Sequence, residues 1–155
     1  PLPDFRQKIK QTNFVVKVAK SFGIANPKVA FIAASEQVLD SMPACMEAAA
    51  LAKMVDRGQI RGCIADGPLA LDVAIDNESV EIKKLVSPVA GDADCLVFPN
   101  IESANVFWKT NSKLSPGVRQ AGMLVGTTAP CILASRADSV DTKLNSIAEA
   151  VMSIL

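Results

Sequence analysis

The run Val29-Ala30-Phe31-Ile32-Ala33-Ala34 decides the fold. Six apolar residues in a row, without the alternation of a half-solvated strand, predict a strand covered on both faces. Pro43 then opens an alanine-rich helix that carries Ala48, Leu51 and Val55 inward and ends at Gly58. Residues 62–65 read as the next strand, exiting into Asp66-Gly67-Pro68. Strand, helix and strand in this order predict an α/β protein with a mostly parallel sheet flanked by helices.

The same alternation extends outward. Upstream, Asp4 caps a helix whose Phe5, Ile9, Val16 and Ala19 share one face; Gly23 stops it and Asn26-Pro27 turns the chain. Downstream, a helix is expected somewhere between Leu69 and Leu85, a strand at residues 95–98, and a helix at residues 101–114 that carries the only tryptophan, Trp108. Residues 121–125 and 131–134 read as two strands. The five residues between them are too few for a crossover helix, which predicts an antiparallel or bent element. A final helix, capped by Asp138 or Ser139, is expected to carry Val140, Leu144, Ile147, Ala148, Val151 and Leu155 on one face.

Composition narrows the chemistry. The 155 residues include no histidine, so mechanisms that need imidazole from this chain are excluded, along with His-ligated metals. Sixteen basic residues balance sixteen acidic ones, which argues against a nucleic-acid partner. The four cysteines are too widely spaced for a CxxC pair and sit in apolar or small-residue segments, so each is expected to be a free, buried thiol. No apolar run approaches the roughly 20 residues of a membrane span, and the polar first residues do not resemble a secretory leader. A reducing cytoplasm fits these features.

In open α/β sheets ligands gather beyond the carboxyl ends of the strands, where loops lead into helices. Small and polar residues stand at those points: Ser35-Glu36, Asp66-Gly67-Pro68, Pro99-Asn100 and Ser135-Arg136. Each loop taken singly is also what turns and helix caps require. Ser135-Arg136-Ala137-Asp138-Ser139 has more to offer, since a guanidinium and a helix N-terminus together favour an anion such as phosphate or carboxylate. A surface arginine beside a capped helix is the competing reading. Gly91-Asp92-Ala93-Asp94 resembles the start of a calcium loop but lacks the residues that complete one, so no metal site is expected. GxGxxG and GxxxxGK[ST] are both missing from the chain.

Residues 43–62 (PACMEAAALAKMVDRGQIRG), followed by Asp66 to Asp72, resemble the phosphate acetyl/butyryl transferase family. Three later stretches match in order: residues 87–94, residues 99–105 including Asn105, and Ala129-Pro130 leading to residues 135–139. The AGDAD and SRADS forms resemble the butyryl branch. The resemblance runs along the whole chain, residues 1–155, as a single α/β unit, yet corresponds to the C-terminal half of such an enzyme. It implies part of an isocitrate-dehydrogenase-like fold, with residues 131–155 packing on an N-terminal domain.

The implied reaction is butyryl-CoA plus phosphate giving butyryl phosphate plus CoA. The resemblance further implies coenzyme A as a substrate, no tightly bound cofactor or metal, and a homodimer; together with the composition, it leads us to expect a cytoplasmic enzyme without membrane or nucleic-acid partners. The resemblance implies catalytic roles for Ser135 and Arg136 at the acyl and phosphate site, with Asp138 or Asp141 as the base, because Thr142 stands where the acetyl branch has its aspartate. Asp66, Gly67, Pro68, Pro130 and Asn105 are the implied substrate-binding residues. Two other readings compete. One is an inactive half that serves as a dimerising or ligand-binding module. The other is a hydroxy-acid dehydrogenase on the related fold, which would need acidic metal ligands and a basic substrate cluster that the sequence does not offer.

Overall fold

The computed structural model describes residues 2–154, and the chain falls into two compact units divided between Ala104 and Asn105. The first unit contains α1 (Phe5–Ser21), β1 (Lys28–Ile32), α2 (Pro43–Asp56), β2 (Ile64–Leu69), α3 (Leu71–Ile75), α4 (Asn77–Lys83) and β3 (Cys95–Val97). Helix α5 (Ile101–Leu114) begins in the first unit and continues into the second, which also holds α6 (Val140–Met152).

The three strands form a parallel sheet in the order β2-β1-β3. The apolar run at Val29 therefore supplies the central strand, and Val29, Ala30 and Phe31 are essentially inaccessible. Alternate residues face opposite sides. Val29 and Phe31 join Val16, Ala48 and Leu51 in one core beneath α1 and α2. Ala30 and Ile32 join Leu69, Val73, Ala74 and Val89 in a second core on the other face. Burial on both sides is why the sequence shows no period-2 alternation here.

Local signals set the helix ends. The Asp4 carboxylate accepts from the Gln7 amide at 2.7 Å and the Gln7 side chain accepts from the Asp4 amide at 2.8 Å, a reciprocal capping box. Pro43 stands in the first turn of α2, and Gly58, at φ +70°, follows its end.

Four expectations need correction. The second strand does not stop at residue 65 but continues through Asp66, Gly67 and Pro68 to Leu69. Ala30 pairs with Asp66 while Ile32 pairs with Leu69, so β2 carries one extra residue in a bulge opposite β1. The helix expected between Leu69 and Leu85 is two short helices, because the Asp76 carboxylate caps a fresh start by accepting from the Ser79 amide at 2.8 Å. Residues 121–125 and 131–134 form no strands. They share one antiparallel bridge, Leu124 N–H to Cys131 C=O at 2.8 Å, without the further pairing that a ladder requires. Finally, all four cysteines are free, but only Cys45 and Cys95 are buried, while Cys63 and Cys131 are half-exposed.

Helix α6 starts where expected, with Ser139 as its cap, and its apolar face is open to solvent. Val140, Leu144, Ile147, Ala148 and Val151 are exposed, whereas Ser146 and Ala150 are buried. Leu155 lies outside the described residues. The cause is the segment that α6 covers. Residues 115–134 pair little with themselves and take polar partners from the helix: Gly122 N–H donates to Ser146 Oγ at 3.0 Å, and Asn145 Nδ2 donates to the Gln120 carbonyl at 3.4 Å.

Candidate functional site

Within the second unit, residues 135–138 form a tight turn between the Leu124–Cys131 bridge and α6. The Asp138 amide donates to the Ser135 carbonyl at 3.1 Å. In return, the Ser135 amide donates to Asp138 Oδ2 at 2.7 Å. Lys109, projecting from α5, places Nζ 3.7 Å from Asp138 Oδ1. The Asp138 side chain is only 9% exposed, so its charge needs these partners. The cap of α6 is separate: Ser139 Oγ accepts from the Thr142 amide at 3.1 Å.

The expected residues of this segment thus divide by what holds them. Arg136 is exposed and unpaired among the described residues, with its guanidinium free for a ligand. Ser135 is half-buried, and its Oγ has only a long contact from the Ala137 amide, at 3.5 Å. Asp138 is bound inside the turn. Asp141 stands exposed in the first turn of α6. Pro130 and Asn105 are both exposed, Pro130 just before the bridge and Asn105 on α5.

In the first unit, Asp66, Gly67 and Pro68 lie inside β2. Asp66 Oδ1 accepts from the Gly67 amide at 2.8 Å, the Gly67–Pro68 peptide is cis, and Pro68 is buried. Gly67 packs directly against Phe31 of the central strand. Asp92 and Asp94 sit at the opposite, amino-terminal end of the sheet. Asp94 Oδ2 accepts from the Lys28 amide at 2.8 Å, and the Asp94 amide donates to the Lys28 carbonyl at 2.9 Å. Lys28 Nζ meets Asp92 at 2.6 Å, and this hydrogen bond holds the ammonium above its ordinary pKa. The acidic motif is a clasp between β1 and β3, on the edge away from the strands' carboxyl ends.

At the carboxyl end, Lys83 of α4 joins Glu36, in the loop after β1, at 3.0 Å and Asp72, after β2, at 2.8 Å. The Lys83 hydrogen bond lowers the Asp72 carboxyl below its usual range. Sequence reasoning missed Lys83 and Lys109. Their partners Glu36, Asp72 and Asp138 lie eleven or more residues away along the chain, a distance that no local pattern reports. It also missed the ion pair between Lys8 of α1, which is buried, and Glu47 of α2.

The sequence profile described as "Phosphate acetyl/butaryl transferase" matches residues 1–151. The chain is 50% identical over 150 residues to a phosphate butyryltransferase of Clostridium acetobutylicum, covering 97% of this chain and 50% of that protein. It is 46% identical over 146 residues to a phosphate acetyltransferase of Thermotoga maritima, covering 94% of this chain and 49% of that protein. Among solved structures, a branched-chain phosphotransacylase from Enterococcus faecalis V583 superposes with a TM-score of 0.90 at 31% identity, covering 99% of this chain and 54% of that one. The chain spans about half the length of the curated relatives it matches. With its motifs, its parallel sheet and this superposition in agreement, the chain belongs to the phosphate acetyl/butyryl transferase family.

Proposed function

We propose that the chain forms one half of a phosphate acyltransferase that moves a butyryl or similar acyl group between coenzyme A and inorganic phosphate. The observation that carries this reading is the SRADS turn, where Arg136 and the Ser135 hydroxyl stand as uncommitted donors at the end of a bridge and ahead of a helix. In the forward reaction a phosphate oxygen attacks the thioester carbonyl. The guanidinium holds the phosphate charge, and the Ser135 hydroxyl donates to the oxyanion that develops on the carbonyl. The C–O bond forms, the C–S bond breaks, and the thiolate of coenzyme A leaves. In reverse, the coenzyme A thiol, with a free pKa of about 8.5, must lose its proton before attack. Asp141 takes that proton, because it is exposed while Asp138 is held inside the turn.

Asp66, Gly67 and Pro68 shape the carboxyl half of β2 on this reading, and Pro130 and Asn105 contribute exposed surface near the substrates. The exposed apolar face of α6 supports a second half to the cleft. Val140, Leu144, Ile147 and Val151 would dock on the remaining half of the family's chain, which the resemblance assigns to the N-terminal side. Homodimers, a cytoplasmic location, and independence from metal or tightly bound cofactor belong to the same reading. Among the described residues no helix is long and apolar enough to cross a membrane.

The test is release of coenzyme A from butyryl-CoA in phosphate or arsenate, followed as free thiol, with this chain alone and together with the remaining half. The expected result is turnover that Arg136→Ala reduces by about 100-fold or more, the scale of losing one transition-state charge partner. A joined enzyme with no turnover on any acyl-CoA sinks the reading. Turnover only after addition of the remaining half favours a chain that is an inactive module when isolated.

A further inference from the structure

The SRADS turn is held from outside its own sequence. Asp138 Oδ2 accepts from the Ser135 amide at 2.7 Å, and Oδ1 faces Lys109 Nζ at 3.7 Å. The carboxylate is nearly buried, and Lys109 is the one cation within ion-pair distance of it among the described residues. Lys109 itself stands on a helix whose backbone is tied down at the adjacent residue, where Gln120 Nε2 donates to the Trp108 carbonyl at 3.0 Å. A series of contacts therefore leads from α5 through a buried carboxylate to the backbone of Ser135.

We propose that Lys109 is a positioning residue of the acyl-transfer site, acting through Asp138 on Ser135 without touching substrate. The proposal rests on the acyltransferase reading given above. Its physical content is a division of donors within the turn. The Ser135 amide is committed to Asp138, so it is withdrawn from any ligand, and the Ser135 hydroxyl and the Arg136 guanidinium remain as the free donors. A nearly buried carboxylate keeps this geometry only while a cation compensates it. Without Lys109, Asp138 turns toward water, the Ser135 amide is released, and the hydroxyl loses its fixed direction. Donors aimed at charge that develops only in the transition state affect kcat rather than substrate binding.

Two measurements on the same variants decide the matter. In the isolated chain, hydrogen exchange at the Ser135 amide is read by NMR. The Gly122 amide, held by Ser146 Oγ in the same unit, serves as the internal reference. Lys109→Gln is expected to quicken exchange at Ser135 about tenfold while Gly122 is unchanged, and Lys109→Arg is expected to restore the wild-type rate. In the joined enzyme, Lys109→Gln is expected to lower kcat about tenfold with KM for phosphate unchanged, and Lys109→Arg to recover most of the loss. Unchanged Ser135 exchange overturns the proposal, as does equal quickening at Gly122, which would mean general loosening of the unit. A raised KM for phosphate with kcat intact also overturns it, because Lys109 would then be a ligand. If the wild-type enzyme transfers no acyl group at all, the acyltransferase reading fails, and the exchange measurement still decides whether Lys109 fixes Ser135.

Discussion

A Cβ atom placed on Gly67 would lie 2.7 Å from Cβ of Phe31 and 3.0 Å from the Phe31 carbonyl oxygen. The first is closer than real Cβ atoms come, and the second is a tight contact with backbone that cannot rotate away. The Ala48 Cβ of α2 would lie 3.3 Å from it, so the glycine lets a helix and the central strand close on the β2 bulge together. Gly67→Ala is therefore expected to destabilise the first unit by about 1–3 kcal/mol, the usual cost of overpacking. Urea unfolding followed by circular dichroism checks it, with a shifted midpoint and an unchanged slope as the expected signature. Equal stability would mean that the bulge relaxes freely.

Glu149 offers a test by pH. It lies on the inward side of α6, its Oε2 is buried without a hydrogen-bond partner, and burial raises its carboxyl pKa above the ordinary value. A group whose pKa is raised on folding contributes stability that is complete below its unfolded pKa and is lost as pH rises through the folded value. Glu149→Gln removes that ionisation. The variant is expected to be more stable than the wild type at pH 7 and no more stable at pH 4. Thermal unfolding of both proteins at the two pH values measures the difference, and an equal effect at both would show that the carboxylate is solvated.

Cys95 should be chemically silent in the folded protein. Burial, reinforced by the neighbouring Asp94 and then by Cys63, pushes its thiol up to about 11. At pH 8 about one thiol in a thousand is then ionised, against roughly a quarter of free thiols, and the thiolate is the reactive form. Alkylation by iodoacetamide at pH 8 is expected to modify the half-exposed Cys131 at least about 100-fold faster than Cys95, and urea should abolish the difference. Peptide mass spectrometry resolves the two sites. Comparable labelling without denaturant would show that β3 opens to solvent.

The first unit was legible because its elements are decided by local chemistry. The Asp4 cap, Pro43, Gly58 and the continuous apolar run from Val29 each act within a few residues, and each element they predict is present. Helix α6 shows where such reading stops. Its apolar spacing correctly marks a helix, but periodicity reports that two faces differ, not which of them the neighbouring chain requires. Ser146 is buried and Leu144 exposed because unpaired backbone at Gly122 needs an acceptor, a demand that arises only once the two segments meet. The buried Lys8 and its pairing with Glu47 were invisible for the same reason, since the helix pattern alone assigns a lysine to solvent.

The sequence by itself determined the α/β class, the central strand, the helix caps, the exclusion of imidazole chemistry from this chain and, through its motifs, the family. Those properties depend on residue type and short spacing, which survive without coordinates. Only the tertiary structure decided that Asp66 to Pro68 run inside a bulged strand, that Asp92 and Asp94 clasp the far end of the sheet, and that Asp138 is held between Ser135 and Lys109. Each of these depends on which backbone and which charge a side chain meets across the fold. A carboxylate in a motif becomes a clasp, a turn-former or a free base according to the partners that folding supplies.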